Sequence, residues 1–78
     1  MSISIEQRVK NIFQAVFSLD DQDILLLTRE NSEKWDSMAQ TTLVICIEEE
    51  FGLTLDFETA VELDSFEYIV AFLESKDD

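Results

Sequence analysis

Few side chains in this 78-residue chain are placed to do chemistry, and the foremost is Ser37. It follows Trp35-Asp36, precedes Met38, and opens a helix-like run that closes on Glu48-Glu49-Glu50-Phe51-Gly52. A serine oxygen becomes a nucleophile when a base takes its proton and a third group orients that base. The sequence contains no His, and no Ser-Lys arrangement takes its place, so no residue is assigned a catalytic role. Ser37-Met38-Ala39-Gln40 also matches the capping box, in which a serine satisfies free amides at a helix start. On the local pattern alone the cap is the simpler use of Ser37.

The other candidates are weaker. Glu48, Glu49 and Glu50 suggest paired carboxylates, but adjacent helical positions point in different directions, so solvation or a charged partner explains them better. Cys46 is the only cysteine. It flanks the core side of its helix with no basic neighbour in sequence, and it reads as a small buried hydrophobe. Asp20, Asp21 and Asp23 invite a calcium reading, yet an EF-hand loop counted from Asp21 needs Gly and Glu where the chain has Leu26 and Ser32. A single thiol and no His also remove the usual zinc and haem ligand sets, and no metal site is expected.

A chain of this length makes one domain, 1–78, which buries only about 60% of its unfolded surface. Hydrophobic residues make up 46% and include six Phe, enough for a core and against disorder. The net charge is −13, and no Lys or Arg lies between Lys34 and Lys76. Nucleic-acid phosphates and anionic membranes are therefore excluded as direct partners, and protein partners are expected to present basic patches. The same charge keeps a small domain soluble and monomeric. Met1 to Lys10 carries Glu6, Arg8 and Lys10 among its apolar positions, unlike a signal peptide, and no stretch approaches the roughly 20 apolar residues of a membrane span. A cytoplasmic monomer is the expectation.

The elements that must position Ser37 follow from apolar spacing. Ser4-Ile5-Glu6-Gln7 offers a capping box, and Ile5, Val9, Ile12, Phe13 and Val16 predict a first helix over about 5–18. A long connection from Leu19 to Asp36 contains Ile24-Leu25-Leu26-Leu27 and Trp35 as anchors, with room for one short helical turn. The second helix is expected over Ser37–Phe51, stopped by Gly52, the only Gly. Leu43, Ile47 and Phe51 share its inner side, flanked by Gln40 and Val44. Met38, Thr41, Thr42, Ile45, Glu48 and Glu49 fall on the other side. There Met38 and Ile45 form either an apolar strip with a charged border for a partner or a contact with the long loop. Asp56 caps a brief third helix over about 57–61, and Asp64-Ser65-Phe66-Glu67 starts a fourth that ends near Leu73 or Glu74, after which Ser75 to Asp78 frays. The fold class is all-α: a small four-helix bundle with three longer helices, a short third one, and a long loop between the first two.

This arrangement resembles the acyl carrier protein family over nearly the whole chain. Ile5-Glu6-Gln7-Arg8-Val9-Lys10 looks like the family's opening helix, Asp36-Ser37-Met38 is similar to its Asp-Ser-Leu, Glu48-Glu49-Glu50-Phe51-Gly52 resembles the end of its second helix, and Ser65 to Leu73 its last. The resemblance implies that Ser37 carries a 4'-phosphopantetheine arm, transferred from coenzyme A by a phosphopantetheinyl transferase, whose thiol holds acyl or aminoacyl groups as thioesters. It further implies a non-catalytic carrier served by a loading enzyme and downstream acyl-processing enzymes. Asp36 would belong to the transferase's recognition surface and serve as a local cap, with Met38 the first apolar contact beside the arm, and Thr41, Ile45, Glu48, Glu49 and Asp56 would complete the partner face. Asp64-Ser65-Phe66 repeats the local pattern without the long helix or the acidic triplet behind it, so Ser65 is read as a cap.

Departures from the family bear on pathway. Ala39 and Thr42 stand where fatty-acid carriers have acidic residues, and Trp35 where they often have a small one. That favours a dedicated route, such as polyketide or aminoacyl transfer, over housekeeping fatty-acid synthesis. A reading from a different class is an unmodified acidic helical module that docks on basic partners through Met38, Ile45 and its carboxylates.

Overall fold

A computed structural model describes residues 4–77, leaving aside the side chains of Asp21 and Asp77. Five helices follow in order: α1, Ile5–Phe17; α2, Asp21–Leu25; α3, Ser37–Phe51; α4, Phe57–Glu62; and α5, Phe66–Asp77. α1, α3 and α5 are long, and the described residues contain no strand, only an isolated antiparallel bridge between Thr28 and Ser65.

α1 begins as its sequence predicts, with the Ser4 hydroxyl accepting from the Gln7 amide at 3.2 Å. The reciprocal half of the box is absent, because the Gln7 side chain instead donates to Asn11 Oδ1 one turn on. The helix closes at Phe17, one residue earlier than expected, since Ser18 takes a left-handed conformation (φ 55°) and donates its amide to Gln14 O. Val9, Ile12, Phe13 and Phe17 of α1 are buried, and the helix packs on α3, α5 and α2. Phe13 sits at the middle of an aromatic cluster, 5.4 Å from both Trp35 and Phe66 in edge-on geometry and 5.6 Å from Phe17.

The long connection is more ordered than a loop. α2 buries Ile24, and Leu27 joins the core beyond it. The chain then turns about Thr28 and Asn31, whose side chains each accept the other's backbone amide at 3.0 Å. The bridge from this turn to the start of α5, with Arg29 N donating to Asp64 O and Phe66 N to Leu27 O, ties the connection down. It delivers Trp35, 2% exposed, into the core against Phe13 and Phe17.

α3 has the predicted bounds. Gly52 closes it with φ 63°, the conformation that favours glycine at this position. α4 starts at the expected cap, Asp56 Oδ1 accepting from Thr59 N at 2.7 Å. The last helix corrects the expected fraying: α5 runs through Ser75 and Lys76 to Asp77, and Asp78 lies outside the described residues. The reason is local. Lys76 occupies the last turn, where a cation meets the negative end of the helix dipole, and its Nζ lies 5.2 Å from the centre of the Phe72 ring.

Candidate functional site

Ser37 is reached through two fixed points. Trp35 is buried, so its indole N–H requires an acceptor, and Gln40 Oε1 supplies one at 2.6 Å. Asp36 is the N-cap of α3, with extended backbone and Oδ1 accepting from Ala39 N at 2.9 Å. The expected capping box from Ser37 to Gln40 is therefore not formed. With the helix starting at Ser37, the cap position falls to Asp36, a carboxylate meets the positive helix end, and the Gln40 amide is engaged elsewhere.

Ser37 is consequently the first residue inside the helix. Its side chain is exposed, and its hydroxyl makes no hydrogen bond among the described residues. Ser65 contrasts with it: half-buried, with an Oγ that accepts from Tyr68 N at 3.0 Å and caps α5. The two Asp-Ser dipeptides are thus placed one residue out of phase, the aspartate capping in one and the serine in the other.

Beyond Ser37 the outer face of α3 is more apolar than its composition suggests. Thr41 and Thr42 turn their hydroxyls back to Ser37 O and Met38 O, at 3.1 and 3.0 Å. Met38 is 80% exposed and Ile45 50%, so the strip lies open on the surface of α3 and is not covered by the long loop. Of the acidic triplet, Glu48 is half-buried and accepts from Leu55 N at 2.8 Å, holding the connection to α4. Glu50 pairs with Arg8 at 2.8 Å, while Arg8 also donates to Glu50 O and lies 4.2 Å from the Phe51 ring centre. Glu49 alone of the three has a carboxylate with no hydrogen bond or ion pair among the described residues. Cys46 is half-buried against the core, as its position suggests, and borders the cleft that Arg8 lines. No three His, Cys, Asp or Glu side chains cluster for a metal ion among the described residues.

Comparison with known proteins gave no assignment. No family model and no curated protein matches the chain.

Sequence reasoning overlooked the surface facing this strip. Phe57 and Val61 of α4 are 83% and 50% exposed, and with Ala60 they face Thr41, Val44 and Ile45 across an apolar groove of about 200 Å³. The spacing Phe57-Ala60-Val61 is an amphipathic signal, but six residues are too few for a periodicity to say which way the helix faces. Asp56, at the head of α4, is exposed, and hydrogen bonds from the Thr59 side chain and amide hold its carboxyl below the usual carboxylate range. At the other end of α4 the Tyr68 hydroxyl donates to Glu62 at 3.2 Å, which raises the phenol above its ordinary value.

Proposed function

We propose that the chain is a carrier that bears a 4'-phosphopantetheine arm on Ser37 and presents acyl or aminoacyl groups to separate enzymes. The observation that carries this reading is the division of labour at the head of α3. Asp36 caps the helix, so the Ser37 oxygen stands exposed and unbonded at a helix start, while the competing Ser65 is engaged as a cap.

The residues present fit a phosphodiester. Ala39 N is taken by Asp36 Oδ1 and Gln40 N by Asp36 O, whereas the amides of Ser37 and Met38 form no hydrogen bond among the described residues. A phosphate on Ser37 would meet those amides and the positive helix end, worth about 0.3–1 kcal/mol. Attachment would form a bond from Ser37 Oγ to the phosphorus of coenzyme A and break the phosphoanhydride, releasing the adenosine 3',5'-bisphosphate. The base that takes the serine proton would come from the transferase. The arm's thiol, once attached, supplies the thioester linkage.

The face beside Ser37 supports the same reading. Met38, Ile45, Phe57 and Val61 offer apolar contacts, and Asp36, Glu49 and Asp56 a carboxylate border suited to basic docking patches on a transferase, a loading enzyme and acceptor enzymes. Thr41 and Thr42, with hydroxyls folded onto the backbone, make recognition at the top of α3 less electrostatic, which favours a specialised pathway over housekeeping fatty-acid synthesis. No helix among the described residues is long and apolar enough to cross a membrane. The carrier reading, with its acidic surface, goes with a cytoplasmic monomer.

Intact-mass measurement after incubation with coenzyme A and a phosphopantetheinyl transferase tests the proposal. Wild type and Ser65→Ala should each gain one phosphopantetheine and Ser37→Ala none; a gain that survives Ser37→Ala and disappears with Ser65→Ala would sink it. The exposed strip also favours a second reading, an unmodified acidic docking module. Protein that stays unmodified in a host with a competent transferase, and whose Ser37→Ala variant retains its partners, would establish that one instead.

A further inference from the structure

We infer that Gln40 is a positioning residue for the modification of Ser37, an inference that rests on the carrier reading above. Its carboxamide does two things at once. Oε1 accepts from the Trp35 indole at 2.6 Å, and Nε2 donates to Ala60 O at 2.7 Å and Leu63 O at 3.1 Å. The indole nitrogen only donates and the two carbonyls only accept, so a carboxylate, which only accepts, or an ammonium, which only donates, cannot replace the amide at this point, and a hydroxyl has one proton for two carbonyls. The orientation of the amide is fixed by the same logic.

The first of these bonds closes a ring. The chain leaves Trp35, passes Asp36 and Ser37, winds through the first turn of α3, and returns from Gln40 to Trp35. Ser37 is part of that ring, between the buried Trp35 and the half-buried Gln40 along the chain, with its own side chain exposed. The ring sets where the helix begins, and hence that Asp36 caps and Ser37 is left free. The second pair of bonds fastens the ring to the end of α4. An enzyme that attaches a group to Ser37 must meet its oxygen in one place, and displacements of about an ångström at a reacting centre reach a hundredfold in rate.

The two arms can be separated by substitution. Gln40→Glu keeps an acceptor for the indole but sets a carboxylate against the Ala60 and Leu63 carbonyls. Gln40→Met keeps the length and removes both arms. The expected result is that Gln40→Glu and Gln40→Met both lose thermal stability, whereas only Gln40→Met loses about tenfold or more in kcat/KM for phosphopantetheine transfer. The Trp35 indole N–H resonance should stay hydrogen-bonded in Gln40→Glu and move in Gln40→Met. Trp35→Phe, which removes the donor, should be modified as slowly as Gln40→Met. If transfer falls in both Gln40 variants in proportion to stability, or in neither, Gln40 is a packing residue and the inference is overturned. A wild type that gains no mass would overturn the carrier reading itself, an outcome distinct from equal modification of wild type and variants.

Discussion

At the level of single residues, one aspartate decides what its neighbouring serine is free to do. Among the described residues, Asp36 supplies the only side-chain bond to the amides at the head of α3. Asp36→Ala should therefore cost about 1 kcal/mol in urea unfolding, and Asp36→Asn little, since an amide oxygen caps as well. In the alanine variant Ser37 is the nearest residue able to take over the cap, so a stability loss well below that figure would mean that its hydroxyl had turned inward. Asp56 permits a pH test. Its carboxyl is held low in the folded state, first by the Thr59 side chain and then by the Thr59 amide. A depressed folded value means that the stabilisation is present above the unfolded value of about 4 and disappears as pH falls through the folded one. The stability difference between wild type and Asp56→Ala should thus be flat at neutral pH and shrink in the acid limb. A difference that grew with acidification would contradict the assignment. Gln40 marks where residue-level legibility ended: its spacing from Ser37 matched a capping box, while its actual acceptors lie 20 and 23 positions away in sequence. Local patterns carry no information about such partners.

Among the helices, what could be read in advance followed the strength of the stop signals. α3 was legible to the residue because an aspartate-serine pair opens it and the sole glycine closes it. α2 was not, since it has five residues and its N-cap Asp20 makes no side-chain cap bond. The end of α5 was misread for the opposite reason, the apolar stripe ending before a helix that Lys76 and Phe72 carry on. Ser18 and Gly52 turn two helix ends with the same left-handed conformation, φ 55° and 63°, which a side chain adopts at a cost of roughly 1 kcal/mol. Ser18→Gly should accordingly stabilise the domain by up to about 1 kcal/mol. A Cβ added at Gly52 would meet nothing within 4 Å, so Gly52→Ala should destabilise by about the same amount through backbone conformation alone, and Gly52→Asn by less. Denaturant midpoints with unchanged slopes would establish both; a loss at Gly52 far above that range would mean a steric contact.

Across the whole molecule the governing quantity is charge. Ten carboxylates lie between Lys34 and Lys76 without a cation among them in sequence, and folding brings in Arg8 to pair with Glu50. The rest of that acidic surface is exposed or half-buried, so the folded state carries self-repulsion that an expanded chain relieves. Salt acts on this in two opposing ways. It screens the repulsion, since the Debye length falls from about 30 Å at 0.01 M to about 10 Å at 0.1 M, and it weakens the Arg8–Glu50 pair and the charged caps. The pair is partly shielded, with a second bond from Arg8 to a backbone carbonyl and a ring beneath it, and short contacts are screened least. Repulsion spread over a net charge of −13 should dominate, and Tm should rise with sodium chloride over that range. Arg8→Ala leaves Glu50 unpaired and removes the clamp between α1 and α3, so it should lower Tm at low salt and steepen its rise with added salt. A Tm that fell with salt in wild type would show instead that local pairs, not the overall charge, set the stability of this surface.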